Sequence, residues 1–187
     1  MSEWKKAMNH PLEAFTRGNS RVGWSLVGLT ILIDSIVYSA IDYFSGNSLK
    51  SISVMENLVL MGLGIVTYVA ICSAFWGVCK AMGSRLSWKK HLKAWGITYM
   101  PTLLCAILLV LTEKYFYLFI GNVILGMLIN IAFIGILLWK TFLYGIYLSE
   151  FAGLKKLKFW GAFSIMGIII LALAWMDAWL GLRTPIL

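Results

Sequence analysis

Residues 118–149, LFIGNVILGMLINIAFIGILLWKTFLYGIYLS, carry a single charge, Lys140, in thirty-two consecutive positions. A bilayer core about 30 Å thick is crossed by roughly 20 apolar residues in helical form. The run is long enough to span and too long for one upright span, so it either tilts or sends its last turns into the interface. Two separate helices would need a turn near Lys140, and no Pro or Gly pair supplies one. Four further apolar runs surround it, at about Val22 to Phe44, Met55 to Cys79, Ala94 to Thr112 and Phe159 to Leu180. The expected fold is an all-α integral membrane protein, a bundle of five transmembrane helices.

Composition agrees. Of 187 residues, 60% are hydrophobic and 13% charged, with a mean hydropathy of +0.84. A soluble domain carries about 25% charged residues, so a water-facing globule is excluded. The net charge of +8 is informative through its distribution. Lys5, Lys6, Arg17 and Arg21 precede the first run, Lys80, Arg85, Lys89, Lys90 and Lys93 follow the second, and Lys155, Lys156 and Lys158 follow the fourth. Twelve of the 16 cations thus fall on one side, while Lys50, Lys114 and Arg183 fall on the other. Cytoplasmic loops retain Lys and Arg, so the N-terminus is expected inside and the C-terminus outside.

The organisation expected is a cytoplasmic amphipathic segment, 1–21, followed by one five-helix membrane domain, 22–187. The first apolar run is too long for a cleavable signal and lacks an A-x-A-like site, so it reads as a signal anchor. No fixed-period repeat or low-complexity segment interrupts the chain.

Catalytic apparatus is not visible. Cys72, Cys79 and Cys105 lie inside spans without C-x-x-C spacing, where free cysteine behaves as a small hydrophobe. His10 and His91 sit in the basic segments with no partner at metal-ligand spacing. There is no G-x-S-x-G elbow, glycine-rich phosphate loop or H-E-x-x-H. The reading is therefore a non-enzyme with no catalytic residues, cofactor or metal.

Polar residues inside the spans need a reason, because an ionised side chain at the bilayer centre costs about 2.5–3.5 kcal/mol on insertion scales. Asp34 is near the middle of the first span, Asn130 near the middle of the fourth, and Lys140 lies some ten residues from its inner end. At about 1.5 Å per residue, Asp34 and Lys140 lie roughly 18 and 15 Å above the inner boundary. Asp34, Asn130 and Lys140 are therefore expected to form an intramembrane polar cluster, with Asp34 and Lys140 as an ion pair between the first and fourth helices. Asp42 and Asp177, near the outer ends of their spans, are secondary candidates. Ser73, Gly77 and Ala81, and Ser35 with Ser39, recur at four-residue spacing and favour close packing within the chain. Pro101 removes one backbone bond and is expected to kink the third span, freeing a carbonyl near Thr98 or Ile97.

The basic segments interleave aromatics with cations. Trp4, Met8, Leu12 and Phe15 recur near helical spacing beside Lys5 and Lys6, and Leu86, Trp88, Leu92 and Trp95 do so among Arg85, Lys89, Lys90 and Lys93. Such segments are expected at the interface, apolar face down and cations toward anionic headgroups. Nucleic acid would require a larger basic surface.

Taken together, the second basic loop and the third span resemble the Yip family, the Ypt/Rab-interacting proteins, in a short prokaryotic form. The resemblance rests on His10-Pro11-Leu12-Glu13-Ala14-Phe15, on Gly83-Ser84 and Ser87 leading to Tyr99-Met100-Pro101, and on Leu138-Trp139 through Leu154 with a Gly-Leu-Lys-Lys loop. It implies a five-span, N-inside layout and brings no catalytic residues. Eukaryotic members associate with Rab GTPases, but this chain lacks their long N-terminal region and Asp-Leu-Tyr-Gly-Pro-type motif, so Rab binding is not carried over. The function expected is a multi-pass scaffold or accessory subunit of a membrane complex in the plasma or inner membrane. Its partners would be anionic lipid and a membrane protein or a second copy. The alternative is a small transporter or lipid-handling protein working through Asp34, Asn130 and Lys140.

Overall fold

The computed structural model describes residues 10–17, 20–37 and 54–179, and among these the chain is helical with no strand. A short α1 (Pro11–Arg17) precedes α2 (Ser20–Leu32), which widens into a π-helical turn, Ile33–Val37. Next come α3 (Val54–Ala81) and α4 (Trp88–Trp95), which passes through a 3-10 turn, Gly96–Thr98, into α5 (Tyr99–Lys114). A short α6 (Phe116–Gly121) leads to α7 (Val123–Ile146), which ends in a second π turn, Tyr147–Phe151, and α8 is Leu157–Trp179.

Among the described residues, four helical stretches are long and apolar enough to cross a membrane: Val54–Ala81, Trp88–Thr112, Val123–Phe151 and Leu157–Met176. Helix α2 and its π turn are the described part of the first expected span. Asp42 and the remainder of that span lie outside the described residues, as do Trp4, Lys5 and Lys6.

Two boundaries differ from expectation, each for a local reason. The long fourth run is not interrupted at Lys140; it breaks at Asn122. The Asn122 side chain accepts from the backbone N–H groups of Ile124 (3.1 Å) and Leu125 (3.2 Å), satisfying two orphan donors and starting α7 there rather than at Leu118. The third span begins at Trp88 rather than Ala94, because one face of α4 is core: His91, Ala94 and Trp95 are buried. Lys89, Lys90 and Lys93 occupy its exposed face. The apolar side of this segment therefore packs on the bundle, not on headgroups.

The irregularity expected at Pro101 lies just before it. Pro101 falls in the first turn of α5, where a missing N–H is tolerated. The Tyr99 N–H donates to the carbonyls of Gly96 and Ile97, so the 3-10 turn absorbs the mismatch and the helical path continues. That turn is also where α2 comes closest. A Cβ on Gly96 would lie 2.7 Å from backbone atoms of Gly23, so two helices meet here backbone to backbone.

Helix α2 packs on α5 and the 3-10 turn, α5 on α7, and α8 on α3. The basic segments converge at one end. Phe15 of α1 is buried, its ring 5.6 Å from Tyr147 and 6.1 Å from Phe151. Ser84 is buried in the α3–α4 loop and donates its hydroxyl to the Ala152 carbonyl at 2.7 Å, stitching that loop to the one before α8. Gly83 (φ 90°) and Gly153 (φ 71°) shape the two loops in the left-handed region open to glycine. Ser84→Ala is expected to cost about 1 kcal/mol, leaving a buried carbonyl without its donor, and thermal unfolding in detergent measures it.

Candidate functional site

Among the described residues, Lys140 is the only charged side chain in the buried set, 7% exposed, in the last third of α7. Its Nζ donates to Thr102 Oγ1 on α5 at 2.6 Å and lies 6.0 Å from the Tyr99 ring and 5.9 Å from the Tyr144 ring. A hydroxyl lone pair and two ring faces thus receive the ammonium. Its surroundings continue into a cleft of about 390 Å³ between α7 and α8, lined by Leu137, Thr141, Tyr144, Phe163, Met166 and Ile170 among others.

The remaining members of the expected cluster are placed differently. Asp34 sits half-buried in the first π turn, and Cys105 of α5 is in electrostatic range of both Asp34 and Lys140. The three residues therefore occupy one neighbourhood where α2, α5 and α7 meet. Asn130 does not join them: it is exposed on α7, ten residues from Lys140, or about 15 Å along the axis. Asp177 is in α8, with its side chain outside the described residues.

The hydroxyl contact makes a prediction. Thr102→Val leaves a buried ammonium without its acceptor and is expected to lose about 1–3 kcal/mol. Lys140→Met replaces the cation by an apolar chain of similar length and is expected to cost less than Thr102→Val, or to stabilise. Paired thermal unfolding curves in detergent decide the order. A loss of about 3–5 kcal/mol in Lys140→Met would instead identify Asp34 as an ionised partner stranded by the substitution.

A second buried polar centre was not legible as one in the sequence. His91 is fully buried between Trp88 and Trp95, stacked at ring distances of 5.7 and 5.4 Å. Its Nε2 is 2.9 Å from the Cys72 carbonyl and its Nδ1 is hydrogen-bonded to the Tyr147 hydroxyl. A carbonyl only accepts, so Nε2 carries the donated hydrogen and the phenol donates to Nδ1 of the neutral ring. The signal was present in the spacing: Trp88, His91 and Trp95 share one face of α4.

These two centres are joined by aromatic rings. Tyr147 meets Trp95 edge-on at 5.1 Å, Trp95 stacks on Tyr144 at 5.5 Å, and Tyr144 faces the Lys140 ammonium. Beyond it, Tyr99 packs on Tyr68 at 5.2 Å and Tyr68 on Trp24 at 5.7 Å. An aromatic column thus runs from Phe15 at the basic end past the membrane-level lysine to Trp24, drawing on every helix from α1 to α7 except α6.

A family model described as the Yip1 domain matches residues 5–176, which includes all of these side chains. The chain belongs to the Yip1-domain family. No curated protein and no solved structure matches it. Within this Yip1 domain, the positions that carried the sequence resemblance have structural work. Phe15, Ser84, Tyr99 and Leu154 are all buried, and Pro101 follows the 3-10 turn. With its four apolar helices, the chain is a membrane protein of that family.

Proposed function

We propose that this Yip1-domain protein is a non-enzymatic scaffold or accessory subunit, lying in the plasma or inner membrane with its N-terminus and basic loops in the cytoplasm. The observation that carries this reading is the construction of the basic end. Arg85, Lys89, Lys90, Lys93, Lys155, Lys156 and Lys158 are all exposed. They stand on segments fixed from beneath by Phe15, Ser84, His91 and Trp95. A preorganised cationic face loses little entropy on docking, whether against anionic headgroups or against an acidic surface of a membrane-protein partner.

The test is purification of the full chain from its own membrane in mild detergent, beside a variant with Lys89, Lys90 and Lys93 changed to Glu. A membrane complex recovered in fixed stoichiometry with the unaltered chain, and lost with the variant, is the expected result. A protein that emerges alone and stable from several mild detergents would sink the accessory reading.

A second reading, transport or lipid handling, is favoured by the cleft between α7 and α8 beside Lys140. On this reading an apolar ligand with one polar group occupies the cleft, and lipid extracted from the purified chain would be depleted in Lys140→Met.

A further inference from the structure

Helix α7, like α8, is little covered by the rest of the chain. Only 6% of its most apolar stretch is buried, against 67% for the Trp88–Thr112 span. A lipid-facing helix needs no covering protein, but Asn130 does not suit lipid. Counted from the middle of the Val123–Phe151 span, a half-core of about 15 Å extends roughly ten residues. Asn130, seven residues from that middle, is within the hydrocarbon and exposed. Its neighbours on the same flank are Val123 (71% exposed), Met127 (61%), Ile134 (57%) and Leu137 (64%). With Asn130 these positions are spaced four, three, four and three residues apart, the spacing of a coiled-coil seam with one polar member.

We propose that this flank of α7 is a self-association seam, in which a second copy of the chain, related by a two-fold axis along the membrane normal, pairs its Asn130 with this one. The occupant follows from the chemistry of the amide. A carboxamide carries both donor and acceptor, so it is its own complement. A two-fold axis places the identical group at the identical depth without any further design. Asn130 then sets the register of the seam, as a lone asparagine does in coiled coils, while Met127 and Ile134 supply the apolar packing and Leu137 ends the seam at the mouth of the α7–α8 cleft. This seam is independent of the basic face and stands whether or not that face docks a partner.

The experiment uses the full chain in lipid vesicles. Single cysteines are introduced along α7 and oxidised, with the unaltered chain and its three native cysteines as the background. Expected are disulfide-linked dimers at Met127→Cys, Asn130→Cys and Ile134→Cys, and none above background at Leu128→Cys, Ile131→Cys or Leu138→Cys. In parallel, dilution of labelled subunits is followed by energy transfer. Asn130→Leu is expected to weaken self-association about three- to tenfold, within the range measured for hydrogen bonds between membrane helices, while Asn130→Gln keeps most of it. Asn130 is exposed, so neither variant threatens the monomer's fold. The proposal is overturned by one-subunit particles at all protein-to-lipid ratios, by cross-linking centred on Ile131, by unchanged association in Asn130→Leu, or by a different protein occupying the seam.

Discussion

Gly96→Ala is expected to unfold or rearrange the bundle, although it adds one methyl group. The backbone of Gly96 (φ −56°, ψ −22°) is open to any L-residue, so conformational strain is no part of the effect. The new Cβ would stand 2.7 Å from the Cα, C and O atoms of Gly23. Those are backbone atoms, and relief requires α2 to move away from the 3-10 turn as a body. Overpacking of this kind typically costs about 1–3 kcal/mol, and a backbone-to-backbone clash belongs at or above the upper end. The reciprocal change is milder: a Cβ on Gly23 meets Gly96 Cα at 3.3 Å, so Gly23→Ala should cost about 1 kcal/mol. Gly62 and Gly77 have open space where a Cβ would go, and alanine there should be neutral or slightly stabilising through helix propensity. Thermal unfolding of the four variants in one detergent gives the ranking. Equal losses at Gly96 and Gly77 would contradict the close approach.

The second large effect is expected at His91. His91→Ala removes a ring stacked on Trp88 and Trp95, opens a cavity in the basic end and leaves the Tyr147 hydroxyl without its acceptor. Deleting a buried ring costs about 3–5 kcal/mol, and an orphaned hydroxyl adds about 1 kcal/mol. Tyr147→Phe keeps both rings and removes one hydroxyl, and should cost about 1–2 kcal/mol. Lys89→Ala and Lys90→Ala, two and one residues away on the exposed face, should fall within about 0.5 kcal/mol of the unaltered chain. Because Trp95 is fully buried against His91, loss of this packing should also shift tryptophan emission to the red. A His91→Ala protein as stable as Lys89→Ala would place α4 at the interface after all.

Much of this architecture was legible because lipid is a demanding solvent. Apolar runs of spanning length have few alternatives to helix, and a lysine such as Lys140 stands out inside one. Its depth placed it near Asp34, and the two do share a neighbourhood with Cys105. Contacts between distant segments were not legible. Gly23 and Gly96 are ordinary glycines until the fold brings them together, and nothing local marks them. His91 was obscured by its lysine neighbours, since an amphipathic basic helix reads the same whether its apolar face rests on headgroups or on protein. Asn130 and Lys140 group together in the sequence as polar residues of one apolar run; the ten-residue offset and the turn of the helix separate them.

The large interlocked side chains, Phe15, Trp95, Tyr147, His91 and Phe75, are gathered toward the basic end, whereas α7 and α8 extend from that end with little cover along their most apolar stretches. Cohesion is therefore graded along the membrane normal. The knot of rings is a cooperative unit held by its own contacts, while the far reaches of the last two helices rely on whatever surrounds them. For those reaches, bilayer thickness and acyl composition act as part of the fold, and a change of membrane is for this chain a change of structural partner.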